Sequence, residues 1–163
     1  MVAVLMAVLS AMAEQPAAPS SEIEQMLAQA GLIAGVAVER APMEIVRAVQ
    51  GYREPTRDVC CHTLTPLKIG SRTFEKGIGA HSNGRIVISL KAPAESFHAW
   101  VGIDHNSDTG TKGTALFRVQ IDGQERYVSP VCRGGEEPHE VSIDLAGAKE
   151  LTLLVGDAGD GIQ

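Results

Sequence analysis

Phe117-Arg-Val-Gln-Ile-Asp-Gly-Gln-Glu-Arg-Tyr-Val-Ser129 reads as two short extended runs joined by Asp122-Gly123. In the first run the apolar residues Phe117, Val119 and Ile121 alternate with Arg118 and Gln120. A period of two puts apolar side chains on one face of a strand and polar ones on the other. Asp-Gly between two such runs is a strong short-range hairpin signal, because both residues tolerate the positive φ that a tight turn requires. The stretch therefore predicts an antiparallel β-hairpin with one buried face.

The same period recurs on either side. Ile86, Ile88 and Leu90 alternate, as do Phe97, Ala99, Val101 and Ile103, then Val141, Ile143 and Leu145, and finally Leu151, Leu153 and Val155. Asn83-Gly84, Ala92-Pro93, Ser107 to Gly110, Gly134-Gly135 and Ala146-Gly147 punctuate these runs as turns. No helical pattern intervenes, so antiparallel pairing is expected, and five amphipathic strands must bury their apolar faces against one another. The fold class predicted is all-β, an antiparallel β-sandwich. Seventeen glycines and eight prolines with 4% aromatic residues agree with many tight turns.

The first sixty residues have a different character. Met1 to Ala13 is an apolar run ending in Ala11-Met-Ala13, the small-x-small pattern of a cleaved export signal, although no Lys or Arg precedes it. It is shorter than the 20 or so apolar residues that span a bilayer, so membrane insertion of the mature chain is not expected. Gln15 to Ser21 reads as a linker. Ser21-Glu-Ile-Glu24 forms a capping box for a short helix that Gly31 stops. Pro42 to Val49 is read as a second short helix opened by its proline, although Ile45-Val46 and Val49 also suit a strand. The expected organisation is an export signal over 1–13, a linker and helical segment over 14–60, and the β-sandwich over 61–163.

Composition removes several functions. A net charge of −6, from 14 Lys+Arg against 20 Asp+Glu, does not supply the basic surface that nucleic-acid backbones need. Cys60, Cys61 and Cys132 allow one disulfide at most, from the adjacent pair to Cys132; buried thiols are the other reading. Their spacing suits neither haem attachment nor a zinc site. There is no Gly-x-Ser-x-Gly elbow, His-Glu-x-x-His motif or phosphate loop, so the chain is not expected to be an enzyme.

Phe74-Glu-Lys-Gly-Ile-Gly-Ala-His-Ser82, Val101-Gly-Ile-Asp104, Phe117 to Gly123 and Leu151-Thr-Leu-Leu-Val-Gly-Asp-Ala-Gly-Asp-Gly161, taken in this order, resemble the NPCBM/NEW2 domain. That domain is a galactose-binding-like β-sandwich, a jelly roll related to carbohydrate-binding module family 51. The resemblance covers roughly Leu64 to Gln163. It implies a carbohydrate partner, galactose-type glycans by analogy with family 51, and an adjacent or fused catalytic domain in a glycoside hydrolase or other large exported protein. Secretion or a periplasmic location agrees with the apolar leader. The family pattern continues past Gly161 into a further strand, which is expected to be missing from these residues. The alternative function is a structural or protein-interaction sandwich that binds no sugar.

Sugar recognition combines an aromatic face for the C–H side of a pyranose with amides and carboxylates for its hydroxyls. On that chemistry the candidate ligand-binding residues are Trp100, which alternation turns away from the inferred core, Tyr127, His81, Asn83 and Asp104. For Trp100 the competing role is packing beneath a neighbouring segment; for His81 it is locking a glycine-rich turn. The loops Asp104 to Asp108 and Asp157 to Asp160 offer oxygen donors of the kind calcium takes, Asp157 and Asp160 being the named pair, with turn-capping carboxylates as the alternative.

Overall fold

The structure, a computed structural model, describes residues 2–6, 43–109 and 111–159. Thirteen β-strands make up its regular elements: β1 Val2–Met6, β2 Met43–Val49, β3 Thr56–Arg57, β4 Leu67–Ile69, β5 Arg72–Phe74, β6 Ile78–His81, β7 Gly84–Leu90, β8 Ser96–Ile103, β9 Thr114–Ile121, β10 Gln124–Val128, β11 Cys132–Arg133, β12 His139–Asp144 and β13 Glu150–Gly156. They form two antiparallel sheets, β12-β8-β1-β6-β3 and β10-β9-β13-β7-β2, with β11 added to β9, and a β4-β5 hairpin.

The alternating residues do what their period requires. Phe97, Ala99, Val101, Val141 and Ile143 of the first sheet meet Ile86, Ile88, Phe117, Val119, Leu151 and Leu153 of the second in one buried core. The Asp122-Gly123 turn has φ of 47° and 80° at its two centres, as a two-residue hairpin turn demands. Asp122 also accepts bonds through Oδ1 from the backbone N–H of Lys149 at 3.1 Å and Glu150 at 2.9 Å, which ties the hairpin to β13.

The expected helix over Pro42 to Val49 is a strand instead. β2 pairs with β7 from Met43↔Leu90 to Val49↔Arg85, with a bulge between Ile45 and Arg47. Eight residues are too few for a stable helix in water, whereas the open edge of β7 offers a full ladder of backbone partners. The segment's Ile and Val also favour extended backbone. The helix expected from Ser21, the linker and the loop end at Asp160 lie outside the described residues.

Val2–Met6 lies in the middle of the first sheet, antiparallel to β6 from Val2↔His81 to Leu5↔Ile78 and to β8 from Ala3↔Ile103 to Met6↔Trp100. Cleavage after Ala13 and this place in the sheet exclude each other for any one molecule.

A second, smaller apolar cluster lies outside the sandwich core. Cys60, Cys61, Leu67, Ile69 and Phe74 form it, and Trp100 packs against it. The β4-β5 hairpin thus roofs the outer side of β8. All three cysteines are buried free thiols, Cys60 and Cys61 in this cluster and Cys132 in the main core. Burial pushes the thiols of Cys61 and Cys132 up to about 11.

Candidate functional site

Two features converge at the end of the sandwich where β2 ends, β7 begins and β13 ends. The first is a groove of about 720 Å³, lined by Arg47, Val49, Asn83, Arg85, Arg118, Leu154 and Asp157 among others. Register explains the row across its floor. Arg118 pairs with Leu154, Leu154 with Arg85, and Arg85 with Val49, so these four residues share one face of four adjacent strands. It is the outer face, because the neighbouring positions Phe117, Val155, Ile86 and Leu153 point into the core.

The second feature is an exposed aromatic ring. Gln50 follows β2, and its side chain donates to the carbonyls of Tyr52 at 2.7 Å and Arg53 at 3.0 Å. Its Oε1 accepts from the backbone N–H of His81 at 2.9 Å. This clamp fixes the Gly51-Tyr52-Arg53 turn against β6. The Tyr52 ring is 48% exposed, with its centroid 5.6 Å from that of His81 and 6.1 Å from that of His62. The Arg53 guanidinium lies 5.2 Å from the Tyr52 ring centre and donates to the His62 carbonyl at 2.8 Å. His62 Nε2 and Asp108 Oδ2 are 2.7 Å apart. A partly exposed ring thus has a guanidinium and two imidazoles as neighbours, with a carboxylate on the far side of one imidazole, in the turn that follows the groove-lining end of β2.

The residues expected from the sequence separate in space. Asn83 is exposed and lines the groove, as does Asp157. His81 is buried, and its Nδ1 lies at 2.5 Å from the Ser82 carbonyl oxygen; its ring is tilted 60° against that of Tyr52. Asp104 is fully buried and accepts bonds from the Lys68 N–H at 3.0 Å and Asn106 Nδ2 at 2.7 Å. Its carboxylate is spent on holding the 104–109 loop, so it is a structural group and not a ligand contact. Tyr127 is half-buried, packed against the main core on β10 and away from the groove. Trp100 does face away from the sandwich core, but it is covered there by the second cluster and by Arg72, whose guanidinium carbon lies 4.0 Å from the ring centre. That cover removes it as an open stacking platform. Trp100→Ala is accordingly expected to cost about 2–4 kcal/mol of stability in a denaturant titration while the folded fraction keeps its ligand affinity.

For calcium, Asp157 is the described member of the expected pair; its Oδ1 accepts from the Gly159 N–H at 3.0 Å, a turn-capping bond. Among the described residues no three His, Cys, Asp or Glu side chains are grouped to hold a metal ion. Tyr52, His62, Arg47, Arg85 and Arg118 were not legible as site residues. The signal that pointed to Tyr52 was small: one of only two tyrosines, in a polar loop that reads as a boundary.

His81 gives the site a pH dependence. Burial, the largest influence, holds its imidazole below the ordinary 6.5, against the opposing bond to the Ser82 carbonyl. The unfolded chain then takes up a proton more readily than the folded one as pH drops through 6.5. Stability present at pH 7 is expected to decline towards pH 5, seen as a falling urea midpoint, and His81→Gln should flatten that slope.

An all-β sandwich with an exposed ring and a polar groove at one end has the architecture of the β-sandwich modules that take ligands at such an end. The chain belongs to the NPCBM/NEW2 domain family, whose model matches residues 38–163. Among solved structures it is similar to a CBM51 module from Clostridium perfringens GH95 in complex with methyl-galactose. That likeness has a TM-score of 0.66 and 31% identity over 73% of this chain and 86% of the other. It is also similar to the CBM51-2 and INT domains of Clostridium perfringens ZmpB in complex with GlcNAc, with a TM-score of 0.66 and 26% identity over 72% of this chain and 26% of the other. A curated relative, the "Putative endo-alpha-N-acetylgalactosaminidase" of Renibacterium salmoninarum, is 38% identical over 94 residues, 58% of this chain. The match spans 6% of that relative's length.

Proposed function

We propose that this chain is a non-catalytic carbohydrate-binding module that recognises a galactose-type glycan and holds a larger exported protein, such as a glycoside hydrolase, on it. The observation that carries the reading is the partly exposed Tyr52 ring next to Arg53 and the Asp108-paired His62, three residues beyond Val49 of the groove that Asn83 and Asp157 also line. The part of the ring that Arg53 and the two imidazoles leave exposed suits the apolar C–H side of a pyranose, and the surrounding donors and acceptors suit its hydroxyls. Family membership and the likeness to modules seen with methyl-galactose and with GlcNAc support the ligand class. The small share of the longer relative that the chain spans supports an accessory role within a larger protein.

Calorimetry of the full chain with methyl-galactose and with GlcNAc tests this. Binding of one sugar, weakened about tenfold or more by Tyr52→Ala with an unchanged melting temperature, is the expected result. A folded wild type that binds neither sugar would move the reading to a protein-interaction sandwich. In that case the exposed Ile45, Val46 and Val49 of β2 are the surface to probe.

A further inference from the structure

We infer that the groove beside Tyr52 takes an acidic group of the glycan, a sugar carboxylate or a sulfate ester, between Arg85 and Arg118. The inference rests on the carbohydrate-binding reading and adds the chemical class of the ligand. Its starting point is a local reversal of charge. The chain as a whole carries −6, yet among the described residues the groove is lined by Arg47, Arg85 and Arg118 against the single carboxylate of Asp157.

These arginines are held together by pairing rather than by sequence. Arg118 and Arg85 flank Leu154 in one register row on β9, β13 and β7. Strands two apart lie about 10 Å from each other, a span that lets two long side chains bend over Leu154 onto one anion. Arg47 of β2 adds a third arginine to the lining of the groove. Among the described residues neither Arg47 nor Arg85 has a carboxylate within ion-pair distance, and Arg118 has only an exposed, long contact of 3.8 Å to Glu125. Asp157 is occupied in part by the Gly159 N–H. The guanidinium fork matches the planar carboxylate and two oxygens of a sulfate bidentately. Leu154 and Val49 supply an apolar floor for the sugar ring that carries the acid, and Asn83 an amide for its hydroxyls.

Calorimetry on the full chain tests it with three probes: a neutral galactoside, the same galactoside bearing a 3-O-sulfate, and the same galactoside capped by a carboxylate sugar. At low salt at least one acidic probe should bind about tenfold more tightly than the neutral one. The advantage should shrink as salt is raised, because the arginines are solvent-exposed. In Arg85→Gln and in Arg118→Gln, each checked for an unchanged melting temperature, the ratio of acidic to neutral affinity should fall towards one. A gain confined to the sulfated probe or to the carboxylate probe identifies the acid. Equal binding of all three probes overturns the inference and leaves the carbohydrate-binding reading standing. A gain untouched by both arginine variants overturns the placement in this groove, and failure of every probe to bind overturns both readings.

Discussion

Gly79→Ala is expected to be strongly destabilised. Gly79 lies in β6, where every residue is buried. A Cβ there would sit 2.4 Å from the Val59 carbonyl oxygen, 2.7 Å from the Cys61 nitrogen and 2.8 Å from Thr56 Oγ1. Two of these are backbone atoms, and the segment that carries them cannot retreat. Asp58 N bonds Gly77 O at 2.8 Å, Cys60 N bonds Thr65 O at 2.9 Å, and Leu64 N bonds Cys60 O at 3.0 Å. Overpacking of a core commonly costs about 1–3 kcal/mol, and more where the neighbour is backbone. A loss of about 3 kcal/mol or more is a large part of the 5–15 kcal/mol that holds a typical domain together. Urea denaturation, or soluble yield if the variant does not fold, measures it. A stable Gly79→Ala protein would show that the Val59 to Cys61 segment is not anchored as described. The close approach also gives the Gly77-Ile-Gly-Ala-His81 signature a physical cause: at its second glycine the β3 side of the sheet is packed backbone against backbone.

Asp104→Ala is expected to cost about 3–5 kcal/mol, because it leaves the Lys68 N–H without its acceptor, leaves the buried Asn106 amide only the weak sulfur acceptor of Cys60, and empties a fully buried position. The loss should spread along the loop. Asn106 Oδ1 accepts from Asp108 N at 2.8 Å and Thr109 N at 3.0 Å, and Thr109 Oγ1 donates to the Asp104 carbonyl. Asp108, which pairs with His62, a ring neighbour of Tyr52, is positioned by that network. Sugar affinity is therefore expected to weaken together with stability. Asp104→Asn discriminates further: its amide keeps one acceptor but turns a donor towards one of the two N–H groups, so it should recover only part of the stability. A fully stable Asp104→Ala protein with lost affinity would restore the direct ligand role.

The strands that were legible are those whose evidence is local. Alternation around Phe97, Phe117, Val141 and Leu151 needs only neighbours two residues apart, and the Asp122-Gly123 turn needs only its own two residues. β2 misled because a helix and an edge strand share the same short apolar composition, and only the free edge of β7 decides between them. β1 was not legible as a strand because its partners, β6 and β8, lie more than seventy residues along the chain. Trp100 was placed on the correct face of β8 by alternation. What covers that face, the β4-β5 hairpin with Arg72, is a matter of tertiary packing.

The sequence by itself determined the fold class, the register of the main hairpin and the inward faces of its strands, because side-chain period and turn chemistry act over a few residues. Only the tertiary structure decided where the site lies. Tyr52, His62 and Asp108 belong to different loops, and Arg47, Arg85, Arg118 and Leu154 to four different strands. Their conjunction follows from which strands pair and in what register, a property of long-range backbone hydrogen bonding that no spacing along the chain records.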